Sequence, residues 1–88
     1  METGMFSADF SRAFDRLLKE TKVSCYQIGK YAQLDEAYLS RLRRGEKNNP
    51  SPLAILKIGL AFAHLSPNVK LQDIEELFNS VGRSIMPK

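Results

Sequence analysis

Between residues 41 and 47 the chain carries four cations (Arg41, Arg43, Arg44 and Lys47) and one anion, Glu46. That local excess of +3 equals the formal charge of the whole 88-residue protein. The chemistry such a cluster serves is attraction to a polyanion, with planar guanidinium groups able to make paired hydrogen bonds. Residues 71–88, by contrast, hold three carboxylates and two cations. Positive charge is therefore concentrated rather than spread.

Catalytic chemistry has little to work with. His64 is the only histidine and Cys25 the only cysteine, and neither lies beside a glycine-rich elbow or a repeated acidic motif. One thiol and one imidazole do not make a zinc site, so no metal or cofactor is expected and the chain does not read as an enzyme. A single cysteine also excludes an internal disulfide and favours a reducing compartment. Cys25 has two readings: a passive small residue, or a thiol whose pKa is lowered by a helix N-terminus and which acts as a redox switch. His64, at the end of a helical stretch, reads as a partner of the helix dipole.

Hydrophobic residues make up 43% and charged residues 26% of the chain, close to a globular average, so a single domain over 1–88 with a modest core is expected. No basic segment followed by an apolar run opens the chain, and the longest apolar stretch, 58–63, is far short of the ~18 residues a membrane span needs. These features lead us to expect a cytoplasmic protein.

The elements that position the cationic cluster follow from periodicity and capping chemistry. Phe10, Phe14, Leu17 and Leu18 recur at helical steps within 7–22. Ser24 is an N-cap for a second helix with Ile28, Tyr31 and Ala32 on one face, ending near Gln33. Asp35 caps a third over Glu36–Arg44, with Leu39 and Leu42 inward and Gly45 suited to the left-handed residue beyond it. Ser51-Pro52 opens a fourth, whose Leu53, Ile55, Leu56, Ile58, Leu60, Phe62 and Ala63 are apolar nearly all round, which predicts the most buried helix of the fold. Leu71, Ile74, Leu77, Phe78 and Val81 predict a fifth over about 70–81, closed by Gly82, with a short tail over 83–88. The expected fold is all-α, a compact five-helix domain.

The second and third helices, joined by Gln33, Leu34 and Asp35, have the dimensions of a helix-turn-helix over 24–44, with Gly29 supplying the small residue that a close crossing needs. The run from Cys25 to Gly45, with Tyr38-Leu39-Ser40 and the later Asn49-Pro50-Ser51, resembles the lambda-repressor/Cro-like (XRE) family over about residues 10–65. The resemblance implies a lambda-repressor-like fold and sequence-specific binding of double-stranded DNA by a transcriptional regulator of a prokaryotic cell or phage-infected host. The third helix would enter the major groove, and a homodimer would read a palindromic site with half-sites about one helical turn apart.

Matched by position, the base-contacting residues implied are Glu36, Ala37, Ser40 and Arg41, on the face opposite Leu39 and Leu42. Arg41 suits guanine O6 and N7, Glu36 cytosine N4, and Ala37 a thymine methyl. Phosphate contacts are expected from Ser24 and Cys25 at a helix start, from the Tyr38 hydroxyl, and from Arg44, Lys47, Asn48 and Asn49. Tyr38 serves packing equally well, and the two asparagines serve the turn. The apolar residues Leu77, Phe78, Val81, Ile85 and Met86 are candidates for pairing two copies, or for simply closing the core.

Three positions depart from the family's habit. Gln33 stands where glycine is usual, so either it accepts a left-handed conformation, at a cost of ~1 kcal/mol, or the turn is built differently. Cys25 replaces a frequent glutamine. An arginine–glutamate pair between the first and third helices is replaced by Leu18 and Arg43, which leaves Arg43 to reach solvent or backbone. A second reading, from a different class, is a protein-interaction module: an antitoxin whose partner is a toxin, or a co-regulator.

Overall fold

A computed structural model describes residues 4–46 and 50–79, with side chains from Phe10 onward. Five helices make up its regular structure: α1 (Gly4–Thr21), α2 (Cys25–Ala32), α3 (Glu36–Arg44), α4 (Pro52–Leu65) and α5 (Leu71–Asn79). No strand occurs among the described residues, which is the all-helical architecture expected. Helix α1 begins three residues earlier than the periodicity indicated, and the expected end of the fifth helix, residues 80 and 81, lies outside the described residues.

Most of the starts and stops have a local cause. The Ser24 hydroxyl accepts from the Gln27 amide at 3.1 Å while the Gln27 side chain accepts from the Ser24 amide at 3.0 Å, a reciprocal capping box. Asp35 accepts from the Tyr38 amide, and Ser51 from the Ala54 amide with Pro52 in the first turn behind it. Three helices end on residues with positive φ: Lys22 (60°), Gln33 (58°) and Gly45 (79°). Beyond each, an amide donates back five residues: Val23 to the Leu18 carbonyl, Leu34 to Gly29 and Glu46 to Arg41. Gln33 thus adopts the left-handed conformation, and the turn keeps its shape without glycine.

That conformation has a cost that substitution should recover. Gln33→Gly is expected to raise stability by about 0.5–1 kcal/mol, because an exposed side chain is lost and a Cβ clash is relieved, partly offset by the freer unfolded chain. Urea unfolding is the measurement; an unchanged or lower midpoint would contradict this origin of the turn.

Helix α3 packs on α1 and α2, α2 reaches across to α4, and α5 closes against α1 and α4. Phe10, Phe14, Leu17, Leu18, Ile28, Leu39, Leu42, Ile55, Ile58, Phe62, Leu77 and Phe78 form one buried cluster. The Phe14 and Phe62 rings meet edge to face at 6.0 Å, tying α1 to α4. One expectation needs correction. Helix α4 is not buried all round: Ala54, Ile55, Ile58, Ala61 and Phe62 face inward, but Leu53, Leu56 and Leu60 are exposed. Helices α1, α2 and α5 cover the inward side of α4, and among the described residues no element covers its outward side. Of the two readings for the fifth helix, the burial of Leu77 and Phe78 agrees with closing the core; Val81, Ile85 and Met86 lie outside the described residues.

Candidate nucleic-acid interface

The turn between α2 and α3 is tight because Gly29 has no side chain. A Cβ there would lie 2.7 Å from the Leu34 carbonyl oxygen and 3.8 Å from the Glu36 amide nitrogen, so the backbone of the turn occupies the space a side chain would need. The small residue expected at the crossing is therefore required by the turn as well as by the helices.

From that turn α3 presents two unlike faces. Leu39 and Leu42 are buried, whereas Glu36, Ala37, Arg41 and Arg44 are exposed. Positions 37, 41 and 44, with 40 beside them, are neighbours on a helix surface, so they form one outward stripe. Ser40 is half-buried at the edge of that stripe. Tyr38 is half-buried against the core, where burial pushes its phenol up; packing is therefore part of its role.

Helix α3 is held to α1 by a contact that the residue matching did not find. The Arg43 guanidinium donates from Nε to Asp15 Oδ1 at 2.6 Å, Lys19 pairs with the other Asp15 oxygen at 3.0 Å, and the Ser11 hydroxyl donates to the Arg43 carbonyl. Arg43, partly exposed, is thus committed to a carboxylate of α1 rather than left to solvent or backbone alone, which corrects the expectation for it. The acid sits on α1 and the base on α3, with Asp15 one turn before the Leu18 position considered from the sequence. The signal was there: Asp15 and Lys19 are four apart, and Arg43 is the cation of α3 nearest its buried side.

Arg43 and then Lys19 hold the Asp15 carboxyl below the usual carboxylate range. A carboxylate whose folded pKa lies below its unfolded value adds stability that is complete above the unfolded pKa and lost as pH falls through the folded one. Stability should therefore drop as pH falls below about 4, and Asp15→Asn should flatten that part of the profile. Thermal unfolding measured between neutral and acidic pH tests this; identical profiles would show that the contact does not survive in solution.

Cys25 lies under the same contact. Its thiol is buried, and burial pushes its pKa up, with Arg43 offsetting only part of the rise. The thiol is accordingly protonated at neutral pH, which opposes the reading of a lowered pKa and a redox switch. Its side chain is turned inward, so a phosphate contact at this position would have to come from the backbone N–H groups of the first turn. Ser24 is exposed, but its hydroxyl oxygen already serves the cap.

At the end of α3, Arg44 and Glu46 form a two-pronged pair, at 2.9 and 3.2 Å, that holds the Glu46 carboxyl low. This partly neutralises the cationic cluster in the protein alone. Lys47, Asn48 and Asn49 lie outside the described residues. Two aromatic contacts on α2 were not anticipated. Lys30 lies 5.6 Å from the Tyr26 ring centroid, and Tyr31 stacks on His64 of α4 at 4.3 Å. Among the described residues no group of three or more His, Cys, Asp or Glu side chains is placed to hold a metal, and no helix is long and apolar enough to cross a membrane.

No protein-family model, curated protein or solved structure matches the chain.

Proposed function

We propose that the chain is a sequence-specific double-stranded DNA-binding regulator of the lambda-repressor/Cro-like kind, acting as a homodimer with α3 in the major groove. The observation that carries this reading is the placement of α3: a three-residue turn with a left-handed Gln33 leads into a helix whose outward face holds Glu36, Ala37, Arg41 and Arg44 while its inward face is fixed to α1 and α2. Arg41 donates to a guanine edge, Glu36 accepts from cytosine, and Ala37 packs on a thymine methyl. Ser40 contributes from the edge of the stripe. Arg44, once it exchanges Glu46 for a phosphate, joins Lys47, Asn48, Asn49, Ser24, Tyr38 and the first amides of α2 in holding the backbone.

Salt dependence tests the electrostatic half of this reading. Affinity for random-sequence duplex DNA should fall by roughly two orders of magnitude or more between 50 and 200 mM salt if several phosphates are neutralised, and Lys47→Ala should reduce the logarithmic slope by about one. A salt-independent affinity, or no binding at low salt, would instead favour the antitoxin or co-regulator reading. That reading draws its own support from the exposed leucines of α4.

A further inference from the structure

Between Glu36 and Asp73 the chain holds a single carboxylate, Glu46, and it stands within the cationic run 41–47. Its place is fixed by backbone. Gly45 takes the left-handed conformation after the last turn of α3, and the Glu46 amide then donates to the Arg41 carbonyl at 2.8 Å, which folds the chain back against the helix end. That helix end is itself held to α1, where the Ser11 hydroxyl donates to the Arg43 carbonyl and Arg43 donates to Asp15. Arg44 meets the Glu46 carboxylate there, donating from Nε and Nη2 to its two oxygens at 2.9 and 3.2 Å. A carboxylate bound in this two-pronged way takes up the same guanidinium fork that a phosphate would. Both side chains are more than half exposed, so a polyanion can reach the pair from solvent.

We infer that Glu46 is an internal competitor for the phosphate-binding guanidinium of Arg44, and so sets how tightly the protein holds duplex DNA of any sequence. The inference rests on the DNA-binding reading and adds to it the residue that opposes binding. Phosphate contacts contribute to affinity for every sequence, so a carboxylate that must be displaced before one of them forms lowers the affinity for all sequences alike. An exposed ion pair is weak, which limits this handicap to about fivefold and lets a phosphate take the place of the carboxylate. Salt screens the pair as it screens the DNA contacts, so the handicap shrinks as ionic strength rises. The contrast with Arg43 is instructive. Its carboxylate belongs to a second helix, whereas Arg44 and Glu46 are two residues apart, so exchanging Glu46 for phosphate leaves the packing of α3 on α1 untouched.

The test compares the affinity of the parent and of Glu46→Gln for random-sequence duplex DNA at about 50 and 200 mM salt. Glu46→Gln should bind about two- to fivefold more tightly at the lower salt and by a smaller factor at the higher, with the thermal unfolding midpoint retained because the side chain is exposed. In an Arg44→Ala background the same substitution should gain less, since no guanidinium is left to release. Glu76→Gln, which changes the net charge equally but on α5, should also gain less. Titration of the Glu46 carboxyl by NMR without DNA checks the pair itself, and Arg44→Ala should raise its pKa. No gain from Glu46→Gln, an equal gain in the Arg44→Ala background or an equal gain from Glu76→Gln overturns the inference and leaves the DNA-binding reading standing. A Glu46 carboxyl that titrates alike with and without Arg44 overturns it independently of DNA. If the titration is as expected but parent and Glu46→Gln both fail to bind at the lower salt, the DNA-binding reading falls and takes the inference with it, so the two failures are told apart.

Discussion

Gly29→Ala is expected to destabilise the protein by about 1–3 kcal/mol, the range for forcing a group into a filled site. For a domain of this size that lowers the unfolding midpoint by roughly 4–24 °C. The obstacle is backbone, not a side chain that can swing away: the new methyl would sit 2.7 Å from the Leu34 carbonyl oxygen. Relief requires the turn to open, and the turn carries the Leu34 amide bond to the Gly29 carbonyl and the left-handed Gln33. Opening it also moves the start of α3, since the Glu36 amide lies 3.8 Å from the same point. The loss should therefore extend to DNA affinity measured at temperatures where the variant is still folded. Alanine's better intrinsic helix propensity works in the opposite direction, by about 1 kcal/mol, and is outweighed by the clash. A variant as stable as the parent would show that the helices do not cross as closely as described.

Arg41→Ala is expected to carry the largest effect on recognition. Arg41 is exposed on the outward stripe of α3, and its side chain is not committed to the contact with α1 that occupies Arg43 or to the pair that occupies Arg44. Of the three arginines in α3 it is the one to which the proposed function assigns base contact. Removing a two-pronged guanine contact costs about 1–3 kcal/mol of discrimination, roughly five- to 150-fold at that base pair. Stability should be almost unchanged, because an exposed helical arginine gives way to a good helix former. Arg43→Ala makes the informative contrast. It leaves Asp15 without its closest partner and loosens α3 from α1, so it should reduce affinity for all sequences alike.

Capping chemistry was the most legible feature of the chain. Ser24, Asp35, Ser51 and Gly45 each end or begin a helix where residue type alone indicated, because these are local interactions between residues no more than five apart. Gln33 was legible in part: the resemblance, with glycine usual at this position, left open a left-handed residue or a differently built turn, and the structure shows that glutamine adopts the left-handed conformation. What lay beyond sequence reasoning were contacts set by how helices cross. Asp15 and Arg43 are 28 residues apart, and their meeting depends on the rotation of α1 against α3. The exposed side of α4 was hidden for a related reason. An all-apolar helix announces burial on every side, but the number of neighbours available to cover it is a property of the whole domain. The Ser24-to-Gln27 spacing also carries a capping-box signal, beyond the N-cap role that Ser24 alone indicates.

Selection of bound sites from a pool of random duplex DNA tests the central claim most directly, comparing the parent chain with Arg41→Ala. The expected result is an enriched sequence with two-fold symmetry and half-sites about one helical turn apart, carrying a guanine whose preference disappears in the variant. No enrichment, or the same sequence recovered with Arg41→Ala, would contradict the assignment of α3 as the element that reads DNA.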